Sequence, residues 1–327
     1  MAKTLSIVIP SCNMEKYLGQ SLDSLLVPDI NDVEILVVND GSKDHTSEIA
    51  HRYEQRYPET IRVIDKTNGH YGSCINRGLK EASGKYIKIL DADDSFDSAA
   101  FEKFITFLNN TDADLVLTNY CIVDENHEVT EYRSINGESH IGKVICFDEA
   151  WDIISGRLMA MHCVCYRREM LIAMGYSQTE GVAYTDQEWI FEPMTKVERV
   201  AFCPVYLYRY LVGRMGQSVS AEVIRKNMGL QIKLISKRVG IAAKEREMLS
   251  ETHFNYLEKR LEYALANTYR TILFSKDFAE LKPLLATLDK EILQGLPELY
   301  ETLGNMKLKS WLPFYFVKHW RRKISKN

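Results

Sequence analysis

Over the first third of the chain, short apolar runs that stop at polar turn residues alternate with segments whose apolar side chains recur every three or four places. LSIVIP (5–10) has a strand pattern that breaks at the turn SCN, and from about Glu15 the residues Tyr17, Leu18, Leu22 and Leu25 fall on one helical face. VEILVVND (33–40) is a second strand ending on Asp40, after which Gly41 permits a tight turn and Asp44 or Thr46 can cap a helix to about Tyr57. IRVID (61–65) is a third, followed by the turn TNGHYGS and a helix over CINRGLKEA. In KYIKILDADDS (85–95) the run of Tyr86, Ile87, Ile89 and Leu90 is dense enough for a buried strand, and it stops at Asp91, Asp93 and Asp94. SAAFEKFITFLNN reads as the next helix. Strands alternating with helices, all apolar enough to be buried on both faces, predict βαβ units with right-handed crossovers and a mostly parallel sheet.

Beyond residue 113 the pattern changes. DLVLTNYCIVDENHEVTEYR begins as a buried strand and passes into alternating, more polar strands, and residues 147 to 174 combine a helix (FDEAWDIISG) with a strand (MHCVCYRREM). Helical spacing returns with Ile224, Met228, Ile232, Ile235 and Val239, and again with Phe254, Leu257, Leu261, Leu265 and Ile272. These stripes are core packing. The tail from Met306 carries seven Lys or Arg and no acid, interleaved with Trp311, Phe314, Tyr315, Phe316 and Trp320, and Pro313 is expected in a first helical turn. The expected organisation is a catalytic domain over 1–222, a helical region over 223–305 and a basic aromatic amphipathic tail over 306–327.

Composition adds bounds. A length of 327 residues, 46% apolar and 26% charged, is that of an ordinary globular protein with one large domain and an appendage. A net charge of -4 exerts no global pull on nucleic acid, so no nucleic-acid partner is expected and any basic site must be local. The seven cysteines have no zinc-like spacing, which points to reduced thiols. The first apolar run is too short for a signal peptide, and no window has the ~18 apolar residues of a membrane span. A cytoplasmic protein is expected. The tail's basic and aromatic mixture would suit an anionic inner membrane face, or equally a terminal helix docked on the protein.

In open α/β sheets ligands bind outside the carboxyl ends of the strands, where this chain places Ser11 and Asn13, Asp40 and Ser42, Asn68 and Gly69, then Asp91 and Asp93. Three carboxylates in four residues repel one another, so they either face water as a turn that caps the next helix or surround a hard divalent ion. Asp40 could accept hydrogen bonds from a ribose or base edge. The first turn, PSCNMEK, lacks G-x-G-x-x-G, and no G-x-x-x-x-G-K-[ST] loop occurs, so a nucleotide diphosphate would have to be neutralised by a metal on the acidic turn. Downstream, AYTDQEW sets Asp186 at a helix start. One carboxylate opposite the acidic turn is enough to take the proton of an attacking hydroxyl; Glu188 is the rival, and plain helix capping by Thr185 or Asp186 is the structural alternative.

SIVIPSCN, EILVVNDGSKDHT, TNGHYGSCINRGLKEASGKYIKILDADD and YTDQEW resemble, in order and spacing, the family 2 inverting nucleotide-sugar glycosyltransferases of the GT-A fold, over roughly residues 4 to 220. The resemblance implies a Rossmann-like, mostly parallel α/β sheet, with a nucleotide-binding half over 1–94 and an acceptor half over 95–222. It places Pro10, Ser11, Asn13 and Glu15 around the base, Asp40 and Ser42 at base or ribose, and Asn68 and Gly69 beside the nucleoside. Asp91, Ala92 and Asp93 become the D-x-D element, with Asp93, joined by Asp91, on Mn²⁺ or Mg²⁺. Asp186 becomes the catalytic base, and Tyr206 to Ser220 looks like the loop that in relatives closes over the donor, from which Arg209 and Arg214 could meet the diphosphate. Ile75 stands where many relatives have Arg before the Asn of N-x-G. The reaction the resemblance implies moves a sugar from a nucleotide diphosphate, with uridine the expected nucleoside, to a saccharide or lipid-linked acceptor hydroxyl in cell-surface polysaccharide or glycolipid assembly. A nucleotide-sugar binder without turnover and a nucleotidyltransferase are the alternatives.

Overall fold

The computed structural model describes residues 3–28, 30–155, 159–214, 227–309 and 312–324, in two compact units, 1–217 and 218–327. In the first unit, β1 (Leu5–Ser11) lies between β2 (Val33–Asp40) and β4 (Tyr86–Ile89), and β3 (Ile61–Lys66) adds beside β2, all parallel. Leu5, Ile7, Val8, Ile9, Ile35, Leu36, Val37 and Val38 are fully buried. Helices cover both faces, so strands without a polar side are the ones that fit here.

Past β4 the sheet becomes mixed. β9 (Val164–Arg167) runs antiparallel between β4 and β6 (Leu115–Val123), and β10 (Arg199–Leu211) follows parallel to β6. The short β5 (Ser95–Phe96) pairs antiparallel with β10, as does β8 (Val144–Cys146), and β7 (Val129–Arg133) pairs with β6. The expected parallel half and mixed second half are both present.

Three local expectations are corrected. The first helix, α1 (Leu18–Asp23), starts after Tyr17 because the Met14 and Glu15 N–H groups donate to Thr46 Oγ1 (2.6 Å) and Asp44 Oδ2 (3.1 Å). α2 follows at Thr46–Arg56, and α3 spans His70–Glu81, so TNGHYGS is partly helix; inside it position 72 has to be glycine, because a Cβ there would meet the Thr179 carbonyl oxygen at 2.2 Å. Finally, Tyr206–Leu211 is not loop but the end of β10. Leu207, Tyr208 and Leu211 are buried there, and the β-favouring tyrosines continue the pairing with β6 after register shifts at Cys203 to Tyr208. The rest of that expected loop, residues 215–220, and Ile224 lie outside the described residues.

The second unit is helical: Met228–Glu245, Glu251–Leu273, Phe278–Gly295 and Pro297–Gly304. Its last segment is a two-stranded hairpin, Lys307–Lys309 with Leu312–Tyr315, and then the helix Phe316–Ile324. Pro313 therefore sits in a strand, where a two-stranded ribbon leaves room for a residue without N–H. Phe316, Val317 and Trp320 are buried, with Trp320 edge-on to Tyr269 at 5.8 Å, while Lys318 and Lys323 are exposed. Arg321 donates to buried Asp289 through Nε (2.9 Å) and Nη2 (2.7 Å), and Tyr269 OH donates to the same carboxylate. The aromatics of this helix thus pack inside the unit. No helix among the described residues is long and apolar enough to cross a membrane.

Removing Trp320 leaves a cavity that the clamp through Arg321 prevents from collapsing. Trp320→Ala is expected to destabilise the second unit by about 3 kcal/mol, seen as accelerated amide exchange in the helices that carry Tyr269 and Asp289 and not in β1 to β4.

Candidate functional site

The loops after β1, β2 and β3 are tied together by polar side chains. Asn13, in a left-handed conformation (φ 56), donates its N–H to Ser42 Oγ (3.0 Å) and accepts the Lys43 N–H on Oδ1 (2.8 Å). Glu15 accepts the His45 N–H (3.1 Å). Asp40 Oδ1 accepts from Lys66 Nζ (2.6 Å) and the Gly69 N–H (2.9 Å), and Asn68 Nδ2 donates to the Asp40 carbonyl (3.0 Å). Asn13, Glu15, Asp40, Ser42, Asn68 and Gly69 are therefore one assembly at the ends of three strands. Ser11 is different: it is buried and turns its hydroxyl to the Ile9 carbonyl (3.3 Å). Pro10, one residue earlier, is still inside β1, and Ala92 is buried within the acidic turn.

The acidic turn at the end of β4 is held by tyrosines and one arginine. Asp91 Oδ1 accepts from Tyr71 OH (2.8 Å) on α3. Tyr208 on β10 accepts the Asp91 N–H (3.1 Å) and donates its hydroxyl to Asp94 Oδ2 (2.6 Å), while Asp94 Oδ1 takes the Leu211 N–H (2.7 Å). Asp93 Oδ2 is 2.6 Å from Arg214 Nε, and the Arg214 guanidinium lies over the Tyr17 ring. Arg209 points elsewhere, donating to the His127 carbonyl (2.7 Å). Burial, then Asp93, pushes Asp91 up to about 7, with Asp186 adding to the repulsion against the help of Tyr71. Burial and both neighbouring carboxylates push Asp94 well above the usual range.

Asp186 opens the short helix Asp186–Trp189, with Thr185 before it making no side-chain capping bond. Its carboxylate accepts from the neighbouring Gln187 side chain (3.0 Å) and acts electrostatically on Asp91, Tyr71 and Tyr210. Glu188 is buried and accepts the Thr179 N–H and hydroxyl, each at 2.7 Å, so it holds structure. The segment around Thr179 is fastened to α3: Asn76 bonds Gln178 in both directions (2.8 and 2.9 Å), and Gly181 N–H donates to the Gly69 carbonyl (2.9 Å).

Sequence reasoning missed Tyr71, Tyr208, Lys88 and His162. Tyrosines inside a turn and a strand carry no spacing signal, and a lysine within an apolar run reads as an exception. Lys88 is fully buried, and burial lowers it to about 8. His162, in the 3-10 turn Met161–Cys163, is pushed down to about 3 by burial and then by Lys88, so its ring is neutral. One ligand atom each from Asp91, Asp94 and His162 lie within 4.8 Å of one another. Two carboxylates and a buried imidazole nitrogen without a hydrogen-bond partner are a donor set that fits a divalent cation.

A mostly parallel sheet that turns mixed past β4, with polar loops and an acidic turn gathered at its strand ends, is the arrangement of the GT-A fold. The sequence model described as "Glycosyl transferase family 2" matches residues 6–173, and the chain belongs to that family. Among curated relatives, the uncharacterized glycosyltransferase YibD of Escherichia coli is 26% identical over 264 residues, 79% of this chain and 74% of YibD. EpsJ of Bacillus subtilis, also an uncharacterized glycosyltransferase, is 39% identical over 36% of this chain and 33% of its own length. The chain thus spans from a third to three quarters of these relatives. In structure, Staphylococcus aureus TarS 1–349, crystallised with UDP-GlcNAc, covers 90% of this chain and 82% of its own with a TM-score of 0.64 at 19% identity, which establishes the common fold.

The raised Asp91 has a definite pH signature without added cation. A carboxyl whose folded pKa lies above its unfolded one stabilises most when protonated, and that contribution is lost between about pH 4 and 7. Asp91→Asn is therefore expected to stabilise the chelator-treated protein by roughly 2 kcal/mol more at pH 8 than at pH 5. Urea denaturation at the two pH values checks this; an equal effect at both would contradict a raised Asp91.

Proposed function

We propose that this glycosyltransferase moves a sugar with inversion from a uridine diphosphate sugar to an acceptor hydroxyl, with Asp186 as the base. The observation that carries the reading is the single carboxylate of Asp186, unused as a cap, set close enough to the acidic turn to act on Asp91. In the transfer, the acceptor oxygen bonds to the anomeric carbon, the bond from that carbon to the diphosphate oxygen breaks on the opposite face, and the hydroxyl proton passes to Asp186. Asp40, Ser42, Asn13, Asn68 and Gly69 hold the nucleoside, with Pro10, Ser11, Glu15 and Ala92 shaping its surroundings. Asp91 and Asp93 hold Mn²⁺ or Mg²⁺, which when bound offsets the charge on the departing diphosphate. Arg214 is placed to exchange Asp93 for a phosphate oxygen.

The uridine assignment is supported by TarS, crystallised with UDP-GlcNAc and with UDP, although a Pyrobaculum calidifontis mannosyltransferase of TM-score 0.50 was solved with GDP-Man and Mn²⁺. For the acceptor we favour a saccharide or lipid-linked hydroxyl in surface-polymer assembly. A relative 36% identical over 106 residues is a minor teichoic acid biosynthesis protein of Bacillus subtilis, of which 12% is matched. Any attachment to an anionic inner membrane face would use exposed basic positions such as Lys318 and Lys323, since Phe316 and Trp320 are buried.

Two measurements test the reading. Asp186→Asn is expected to bind UDP-sugar as the parent does and to transfer ~10² to 10⁴ times more slowly, with calorimetry and single-turnover assays run side by side. Unchanged transfer would remove Asp186 as base. Asp93→Ala is expected to abolish turnover with the fold intact, and excess EDTA to do the same in the parent; full activity in EDTA would refute the cation requirement.

A further inference from the structure

Beneath the acidic turn, Lys88 sends its amine to the His162 carbonyl (2.8 Å) and the Val164 carbonyl (3.1 Å) and to no carboxylate. It pins the backbone of the 3-10 turn against β4. The His162 ring is stacked on Tyr210 (4.4 Å between centroids, 29° between planes) and touches Tyr208 at 4.5 Å and Tyr120 at 5.2 Å. With the backbone tied on one side and the ring packed on the other, the imidazole has little freedom to turn. Yet its Nδ1 is buried without a hydrogen-bond partner in a side chain only 9% exposed. An orphaned polar atom of this kind is costly to bury, and stacking on tyrosines requires no nitrogen, since Phe or Leu would fill the same space.

The geometry gives the ring a use, because one of its two nitrogens lies beside the acidic turn. The His162, Asp91 and Asp94 ligand atoms lie within 4.8 Å of one another, and no hydrogen bond joins His162 to either carboxylate. Around a divalent ion with bonds of about 2.1 to 2.4 Å, ligand atoms stand about 3 to 4.8 Å apart. Each Asp94 oxygen already accepts one hydrogen bond and keeps a second lone pair, and Asp91 keeps Oδ2.

We propose that His162 is a nitrogen ligand of the divalent cation bound at the acidic turn, beside Asp91 and Asp94. The inference rests on the cation-dependent transfer proposed above. One imidazole among carboxylates makes affinity climb more steeply from Mn²⁺ to Co²⁺ than oxygen ligands alone would, and it disfavours Mg²⁺.

The test uses the untagged full chain with Mn²⁺ and UDP. Pulsed electron paramagnetic resonance of the parent should show nitrogen hyperfine coupling to the bound Mn²⁺. His162→Gln, which nearly preserves volume, should abolish the coupling and weaken Mn²⁺ by tenfold or more, and Co²⁺ by a larger factor, in calorimetric titrations. Absence of nitrogen coupling in the parent overturns the proposal, and because that measurement needs no variant, misfolding of His162→Gln cannot hide it. Affinities of His162→Gln within twofold of the parent for both ions also overturn it. Cation-dependent transfer without nitrogen coupling would sink His162 as a ligand and leave the transferase reading standing. Nitrogen coupling in a protein that transfers no sugar would do the reverse.

Discussion

Three carboxylates within four residues at the end of a buried strand repel one another, and much of the first unit is arranged to offset that repulsion. Tyr71 from α3 and Tyr208 from β10 bring hydroxyls to Asp91 and Asp94, the Leu211 N–H takes the last Asp94 oxygen, and Arg214 neutralises Asp93. These partners come from two distant stretches of chain, α3 and the end of β10 with the residues just after it, so the turn keeps its geometry only when both are packed against β4. The compensation is incomplete. Burial first, and then repulsion from Asp93, still pushes Asp91 up to about 7.

The same logic explains how the putting-together of donor and acceptor sides is achieved. α3 opens where Gly69 approaches Asp40, and its second turn carries Asn76, which holds Gln178 and Glu180. The Thr179 carbonyl is so close to α3 that only glycine fits at 72. From there Glu188 reaches back to Thr179, fixing the start of the helix that presents Asp186. One helix therefore fastens the loops proposed to hold the nucleoside at its N-terminus and, through a chain of hydrogen bonds, the start of the helix that carries Asp186.

The parallel half of the fold was legible because strands buried on both faces show unbroken apolar runs, and the loops between them end in residues with few other uses. The acidic turn was legible for the same reason. The β10 strand was not, since YLYRYL follows a proline and register shifts, and tyrosines and an arginine in alternation look like surface loop. His162 was invisible because its importance is the neighbourhood of β4, β6 and β10, three strands that meet it from distant parts of the sequence. Glu188 and Asp186, two residues apart, looked interchangeable; burial separates them, one spent on Thr179 and the other free to face Asp91.

Charge is treated differently on the two sides of the site, and the difference bears on how ligand binding is driven. At Asp40 the carboxylate already has Lys66 at 2.6 Å and the Gly69 N–H at 2.9 Å, so the nucleoside end is close to neutral before any ligand arrives. It can discriminate by hydrogen bonds and shape without demanding a counter-ion. At the acidic turn burial and mutual repulsion favour the protonated forms of Asp91 and Asp94, and Arg214 pairs with Asp93, so a cation that entered would compete with protons for the carboxylates. In the transfer proposed above, a cation that displaces those protons would bring positive charge to where the diphosphate is proposed to lie, so affinity for the phosphates, far more than that for the nucleoside, would be tied to the metal.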